Sequence, residues 1–278
     1  MKIRCVFFVM GVWQMRIEMK SVIALSAATL LLLSVPAHAQ WLKVPPAKVP
    51  RTAEGKPNLS APAPRLLDGK PDLSGIWEPA NNRYVQNIAA DLKPEDVPYQ
   101  PWAKALFDER KTGAHSKEDQ PANCLPQGVP RINAAPAPWK LVQTPGFIAI
   151  VYEAFNLWRQ IFLDGREVAP DAPPSWLGYS TGKWQGDALI VDTKGFNGKA
   201  WIDQLGRPST DALHVIERFQ RKDFGHMEIQ ITIDDPNAYT KPWTVTEQFR
   251  LLADGEVMEA ICNENNRDLE HLPGGSSK

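Results

Sequence analysis

The stretch Leu213-His214-Val215-Ile216-Glu217-Arg218-Phe219, answered after a polar break by Met227-Glu228-Ile229-Gln230-Ile231-Thr232-Ile233, decides the fold. Apolar and polar residues alternate with a period of two, which is the period of a strand with one buried face. Pairing Phe219 with Met227, Glu217 with Ile229, Val215 with Ile231 and Leu213 with Ile233 gathers seven apolar side chains on one face. The other face then carries His214, Arg218 and Gln220 against His226, Glu228, Gln230 and Thr232, with Arg218 opposite Glu228.

Moving outward, similar β-rich segments separated by turn residues fill the chain from Trp139 onward. They run 140–144, 147–153, 157–163, 179–184, 188–193, 212–221, 226–234, 243–252 and 257–262, with Gly75 to Trp77 as an earlier strand. No helical segment sits between them to supply the crossovers of a parallel sheet. The expected fold is mainly β, an antiparallel up-and-down lipocalin-like barrel of about nine or ten strands.

Upstream the composition changes. Residues 41 to 138 hold 16 of the 25 prolines, which excludes most regular structure. Three regions follow: a signal peptide at 1–39, a Pro-rich wrapping arm at 40–138 containing the first strand and one short helix, and the barrel body at 139–278. The helix begins at Pro101, places Trp102, Ala105 and Leu106 on its apolar side and stops at Gly113. Within the arm Gly55-Lys56-Pro57-Asn58-Leu59-Ser60 recurs as Gly69-Lys70-Pro71-Asp72-Leu73-Ser74.

The first region sets the compartment. Met19-Lys20, an apolar run from Val22 to Val35 and the ending Ala37-His38-Ala39 make a secretory signal of bacterial type, with cleavage after Ala39. Met19 is the better start, so residues 1–18 read as an over-long beginning. The alternative is a membrane anchor, but the run of about 14 residues falls short of the roughly 20 that span a bilayer. No integral span is expected after cleavage, and the location is periplasmic or secreted.

Cleavage would remove Lys2, Arg4, Arg16, Lys20 and Glu18, taking the net charge from −1 to −4. The basic footprint of a nucleic-acid binder is missing, which argues against nucleic acid as a partner. Cys124 and Cys262 then remain in an oxidising compartment, and a disulfide between them is the natural reading. Free thiols are the alternative.

Four charges share the apolar faces. Glu217 lies among Leu213, Val215 and Phe219; Glu247 among Val245, Phe249 and Leu251; Glu259 between Val257 and Ile261; and Arg159 among Leu157, Ile161 and Leu163. A charge buried alone costs several kcal/mol, so these groups must be paired, hydrogen-bonded or wet. One reading is a structural ion-pair network. The other is a pocket in which Arg159 anchors a ligand and Glu217, helped by Glu247 or Asp203, moves protons.

The loop from Lys194 to Asp211 is long for a hairpin connection and carries Phe196, Asn197, Trp201 and Asp203, a set suited to a lid or to a packed plug. His214 and Glu217 face opposite sides of a strand and make no metal site; His226 and Glu228 read as ordinary cross-strand pairs. A nucleophile elbow and a phosphate-cradling glycine loop are absent, and no cofactor is implied.

Gly75-x-Trp77 resembles the lipocalin entrance, where the tryptophan crosses the barrel floor. The strings Asp68-Gly69-Lys70-Pro71-Asp72-Leu73-Ser74-Gly75-Ile76-Trp77, Arg159-Gln160-Ile161-Phe162-Leu163-Asp164-Gly165-Arg166, Trp184-Gln185-Gly186-Asp187, Glu217-Arg218-Phe219 and Cys262-Asn263-Glu264-Asn265 are similar to a large family of uncharacterised secreted bacterial proteins. That resemblance implies a common calycin-type barrel and brings no activity with it.

Three functions stay open at this point. The leading one is a lipocalin-like protein binding a small, largely apolar molecule in a barrel cavity, with Trp77, Arg159, Trp201, Glu259 and Phe219 around it. The second is a cofactor-independent isomerase, lyase or hydratase acting through Glu217, Glu247 and Asp203. The third is a structural envelope-interaction protein using the arm.

Overall fold

A computed structural model describes residues 49–168, 171–264, 266 and 271–272. The expected signal at 1–39 lies outside these residues. Nine strands close on themselves in chain order: β1 (Gly75–Pro79), β2 (Trp139–Thr144), β3 (Phe147–Tyr152), β4 (Trp158–Phe162), β5 (Tyr179–Gln185), β6 (Ala188–Lys194), β7 (His214–Arg221), β8 (His226–Asp234) and β9 (Trp243–Leu251). Trp77 pairs with Leu251 to complete the cylinder.

Alternation places the inward side chains. Val215, Glu217 and Phe219 of β7 and Met227, Ile229, Ile231 and Ile233 of β8 are all buried. The face assignment of this hairpin holds, but its register differs by two residues. Phe219 pairs with Ile229, Glu217 with Ile231 and Val215 with Ile233, so Arg218 stands opposite Gln230 and Glu228 opposite Gln220. The turn explains the shift. Lys222 N donates to His226 O at 2.8 Å, while Asp223 Oδ1 accepts from the backbone N–H groups of Gly225 and His226, which adds Arg221 to the paired strand.

Two further expectations need correction. The barrel is not purely antiparallel, because β4 and β5 pair in parallel through Ile161 with Ser180 and Phe162 with Thr181. The segment between them brings the chain back to the end where β4 began, so β5 starts in the same direction. A strand at 257–262 does not form; residues 256–261 run outside the ladder. β9 already pairs with β1, and a closed barrel has no free edge for another strand.

Of the two α-helical segments among the described residues, α1 (Arg83–Gln86) is a single turn; the other, α2 (Pro101–Arg110), matches the expected helix but buries a different face. Ala103 and Phe107 point inward and Trp102 is exposed, its Nε1 donating to Asn237 O at 2.8 Å. Phe107 wins the buried position because it stacks on Tyr99, with ring centroids 5.3 Å apart.

The internal repeat is a pair of equivalent turns. Arg51 bridges to Pro57 and Arg65 to Pro71, and each arginine donates through Nη1 to a glycine carbonyl, that of Gly55 or Gly69. Both glycines take left-handed backbone angles, φ 76° and 80°, with open space around them. The first turn is tied to Asp254 and the second to Asp187. Leu73 of the second copy reaches the core, while Leu59 of the first covers Gly225.

Trp77 closes one end of the barrel. It is fully buried, its Nε1 donates to Leu73 O at 3.0 Å, and the Arg221 guanidinium lies 5.0 Å from its ring centre. Four backbone carbonyls, of Asp72, Ser74, Asp223 and Phe224, accept from Arg221. Burial pulls this guanidinium down to about 10. The expected disulfide joins Cys124 to Cys262, which are 138 residues apart in sequence.

Candidate functional site

Inside the barrel, β4 carries Arg159 and β7 carries Glu217, and the two form a bidentate ion pair with side chains at most 1% exposed. Two hydroxyls take further protons of the guanidinium. Arg159 Nε donates to Ser180 Oγ at 2.9 Å and Nη2 to Thr193 Oγ1 at 2.8 Å. Burial opposes the Arg159 charge, but Glu217 and Tyr152 together outweigh it and the guanidinium ends above its ordinary range.

A residue that pattern reading missed completes the cluster. The 3-10 turn Arg131–Ala134 of the arm enters the barrel mouth, where Asn133 Nδ2 donates to Glu217 Oε1 at 2.8 Å and Asn133 Oδ1 accepts from the Tyr152 hydroxyl at 2.7 Å. Trp139 Nε1 donates to the Asn133 carbonyl. The turn is itself anchored by the buried Arg131–Asp119 pair, whose closest atoms are 2.6 Å apart. Nothing in the proline-rich stretch has a period that would have revealed this. Tyr152, Ser180 and Thr193 could have been found, since each sits at an inward position of a recognisable strand.

Glu247 shares the interior with Glu217 on different terms. It is 1% exposed, and neither carboxyl oxygen has a hydrogen-bond partner among the described residues. Burial, then the negative charge of Glu217, pushes its carboxyl up to about 8. At neutral pH this group holds its proton.

The other expected site residues lie apart from this cluster. Asp203 is buried and paired with Arg207, and it accepts from the backbone N–H of Ile88 at 3.0 Å. Burial raises its carboxyl, and Arg207 opposes that rise. It serves the packing of its loop, not the Glu217 cluster. Trp201 is buried against the Arg110 guanidinium, 4.4 Å from the ring centre, and its loop is pinned by Gln204 N to Val85 O and Leu205 N to Gln86 O. That loop is packed and tied by backbone bonds, with Trp201, Ile202, Asp203 and Arg207 buried. Glu259 is exposed on the stretch after β9, not interior. Phe219 is fully buried in the core, paired with Leu189 and Ile229.

Glu217, Glu247, Phe219 and Trp77 line none of five clefts on the described surface. Two of those clefts matter. One, of about 360 Å³, lies along the β4–β5 seam; Arg159 and Ser180 line it beneath Trp158, Phe162, Trp176 and Tyr179. The larger, about 910 Å³, lies between the outer face of β1 to β3 and residues 252–259. Its volume sits in the range of small-molecule sites.

Apolar residues dominate the larger cleft. Ile76, Val151, Leu252, Val257 and Met258 line it, and Val151 and Met258 remain 42% and 44% exposed. The ladder aligns Ile76 with Lys140, Lys140 with Val151, and Val151 with Trp158, so an exposed row runs outward from the cleft to the seam. Backbone bonds hold the covering stretch: Met258 N donates to Glu153 Oε2 at 3.0 Å and Ala260 N to Asn156 Oδ1 at 3.1 Å.

What this geometry defines is a class, a closed nine-strand barrel with a buried ion pair inside and an apolar cleft on its outer face. No protein-family model, no curated protein and no solved structure matches the chain. Among the described residues no cluster of His, Cys, Asp and Glu could hold a metal ion, and no helix is long and apolar enough to cross a membrane.

Proposed function

We propose that this is an exported, lipocalin-like protein that binds a small, largely apolar molecule, and that the molecule sits in the 910 Å³ outer cleft instead of the barrel interior. The observation carrying this reading is the exposed apolar lining: Val151 and Met258 stay open to solvent inside a cleft of ligand size. Export is supported by the signal pattern at 1–39 and by the Cys124–Cys262 bond. Lipocalin likeness, and membership of the secreted bacterial family it resembles, are supported by Gly75-x-Trp77 and by the closed barrel.

The test is uptake of the neutral dye N-phenyl-1-naphthylamine by the purified protein, followed by fluorescence, with V151D as the comparison. Binding that weakens about tenfold in V151D, with unchanged circular dichroism, supports the reading. No uptake, or equal uptake by both proteins, removes it.

A second reading has one specific support. Glu247 is an acid raised to about 8 in the electrostatic reach of Glu217, whose partner Arg159 lines the seam cleft, which suits a proton-transferring isomerase, lyase or hydratase. Unchanged turnover of a candidate substrate by E247Q would dispose of it.

A further inference from the structure

The outer cleft is apolar, yet its floor holds two cations. Arg221 reaches it from β7 and is 6% exposed. Its hydrogen bonds all go to backbone carbonyls, and it forms no ion pair with a carboxylate among the described residues. These bonds use Nε and both Nη1 protons but one Nη2 proton, which leaves one N–H without a protein acceptor. Lys140 rises from β2 between Ile76 and Val151, and no described carboxylate pairs with it either.

Among the described residues no carboxylate touches either cation: Asp72 and Asp223 act on Arg221 through space, without an ion pair. Glu256 and Glu259 are exposed on the covering stretch, as Lys140 is on β2, so water and salt screen all three alike. Asp72 keeps its charge while Oδ1 accepts from the backbone N–H of Ser74 at 2.9 Å, a bond that holds it in its own turn. An apolar surface with a desolvated guanidinium beneath it that no described carboxylate contacts, and a second cation in its row, favours one kind of guest.

Resting on the cleft reading above, we infer that the ligand is an anionic amphiphile, a monocarboxylate or similar single-charged head on an aliphatic chain. The head lies at Lys140 and toward Arg221, and the chain follows Ile76, Val151 and Met258. Lys140 is the residue that reads the charge from solvent. Arg221 also clamps Trp77, so its substitution would confound folding with binding.

The experiment displaces N-phenyl-1-naphthylamine from the purified protein with dodecanoate and, separately, with dodecanol, for wild type and K140Q. Dodecanoate is expected to compete at lower concentration than dodecanol, and K140Q to weaken dodecanoate about three- to tenfold while leaving dodecanol within about twofold. Raised salt should narrow the wild-type difference. Equal competition by the two ligands, or equal weakening of both in K140Q, overturns the anionic assignment and leaves the cleft reading standing. If the dye binds nowhere, or neither ligand displaces it, the cleft reading itself falls.

Discussion

The Asn133 carboxamide joins Glu217 to Tyr152, donating to the one at 2.8 Å and accepting from the other at 2.7 Å. A side chain from the proline-rich arm thus supplies hydrogen bonds that the barrel cannot supply for itself. Asn133→Ala should destabilise the protein by about 2–3 kcal/mol, because two buried polar groups lose a partner at once. Tyr152→Phe removes a single bond and should cost about 1 kcal/mol. Urea midpoints that rank the two variants the other way would show that the arm does not serve the cluster.

The ion pair behind Asn133 predicts a strongly coupled pair of substitutions. Glu217→Gln strands a buried guanidinium and should destabilise by about 3–5 kcal/mol, as should Arg159→Met for the opposite charge. The double variant removes both charges and should be less damaged than the sum of the singles. Additive losses in denaturant would mean that the two groups are held apart in solution.

Glu247 gives the stability a dependence on pH. Its carboxyl is raised in the folded chain from 4.5 to about 8, so between those values the folded protein keeps a proton that the unfolded chain has released. The favourable contribution is complete below about 4.5 and is lost as pH rises toward about 8, by up to about 1.4 kcal/mol per unit. E247Q should flatten that segment of the stability curve and leave a more stable protein at pH 8. Chemical denaturation at several pH values measures it; a decline that persists unchanged in E247Q would assign the effect elsewhere.

Reduction of the Cys124–Cys262 bond frees a loop of 138 residues, and the chain-entropy account puts the loss at about 4–5 kcal/mol. The melting temperature should fall accordingly under a reductant that reaches both sulfurs, and the C124S/C262S variant should match the reduced protein. An unchanged melting temperature would count against a constraining bond.

Alternation along a strand carries parity but not register, and the chain illustrates the difference. A shift by two residues leaves every side chain on its own face, so the inward set of β7 and β8 was legible while the partner of Glu217, Ile231, was not. The deciding contacts come from the turn, where Asp223 Oδ1 gathers the Gly225 and His226 amides. The same parity placed Arg159, Glu217 and Glu247 inside. It misplaced Glu259, whose alternation with Val257 and Ile261 is real but finds no strand to pair with once β9 has met β1.

The arm was legible only as a region that avoids regular structure. Entry of Asn133 into the barrel depends on Arg131 pairing with Asp119 and on the Trp139 indole meeting the Asn133 carbonyl, which are contacts of shape and not of period. The outer cleft was hidden for a related reason. It forms where an irregular stretch after β9 crosses the outside of three strands, and no local pattern announces such a crossing.

Eight of the nine junctions of the barrel are antiparallel, and the ninth is a parallel join of two residue pairs between β4 and β5. A cylinder of staves parts where it is least fastened. Warming or mild denaturant should unzip this wall first, wetting Arg159 while the remaining strands are still laced, so the protein has a built-in order of coming undone that begins beside its own buried charges.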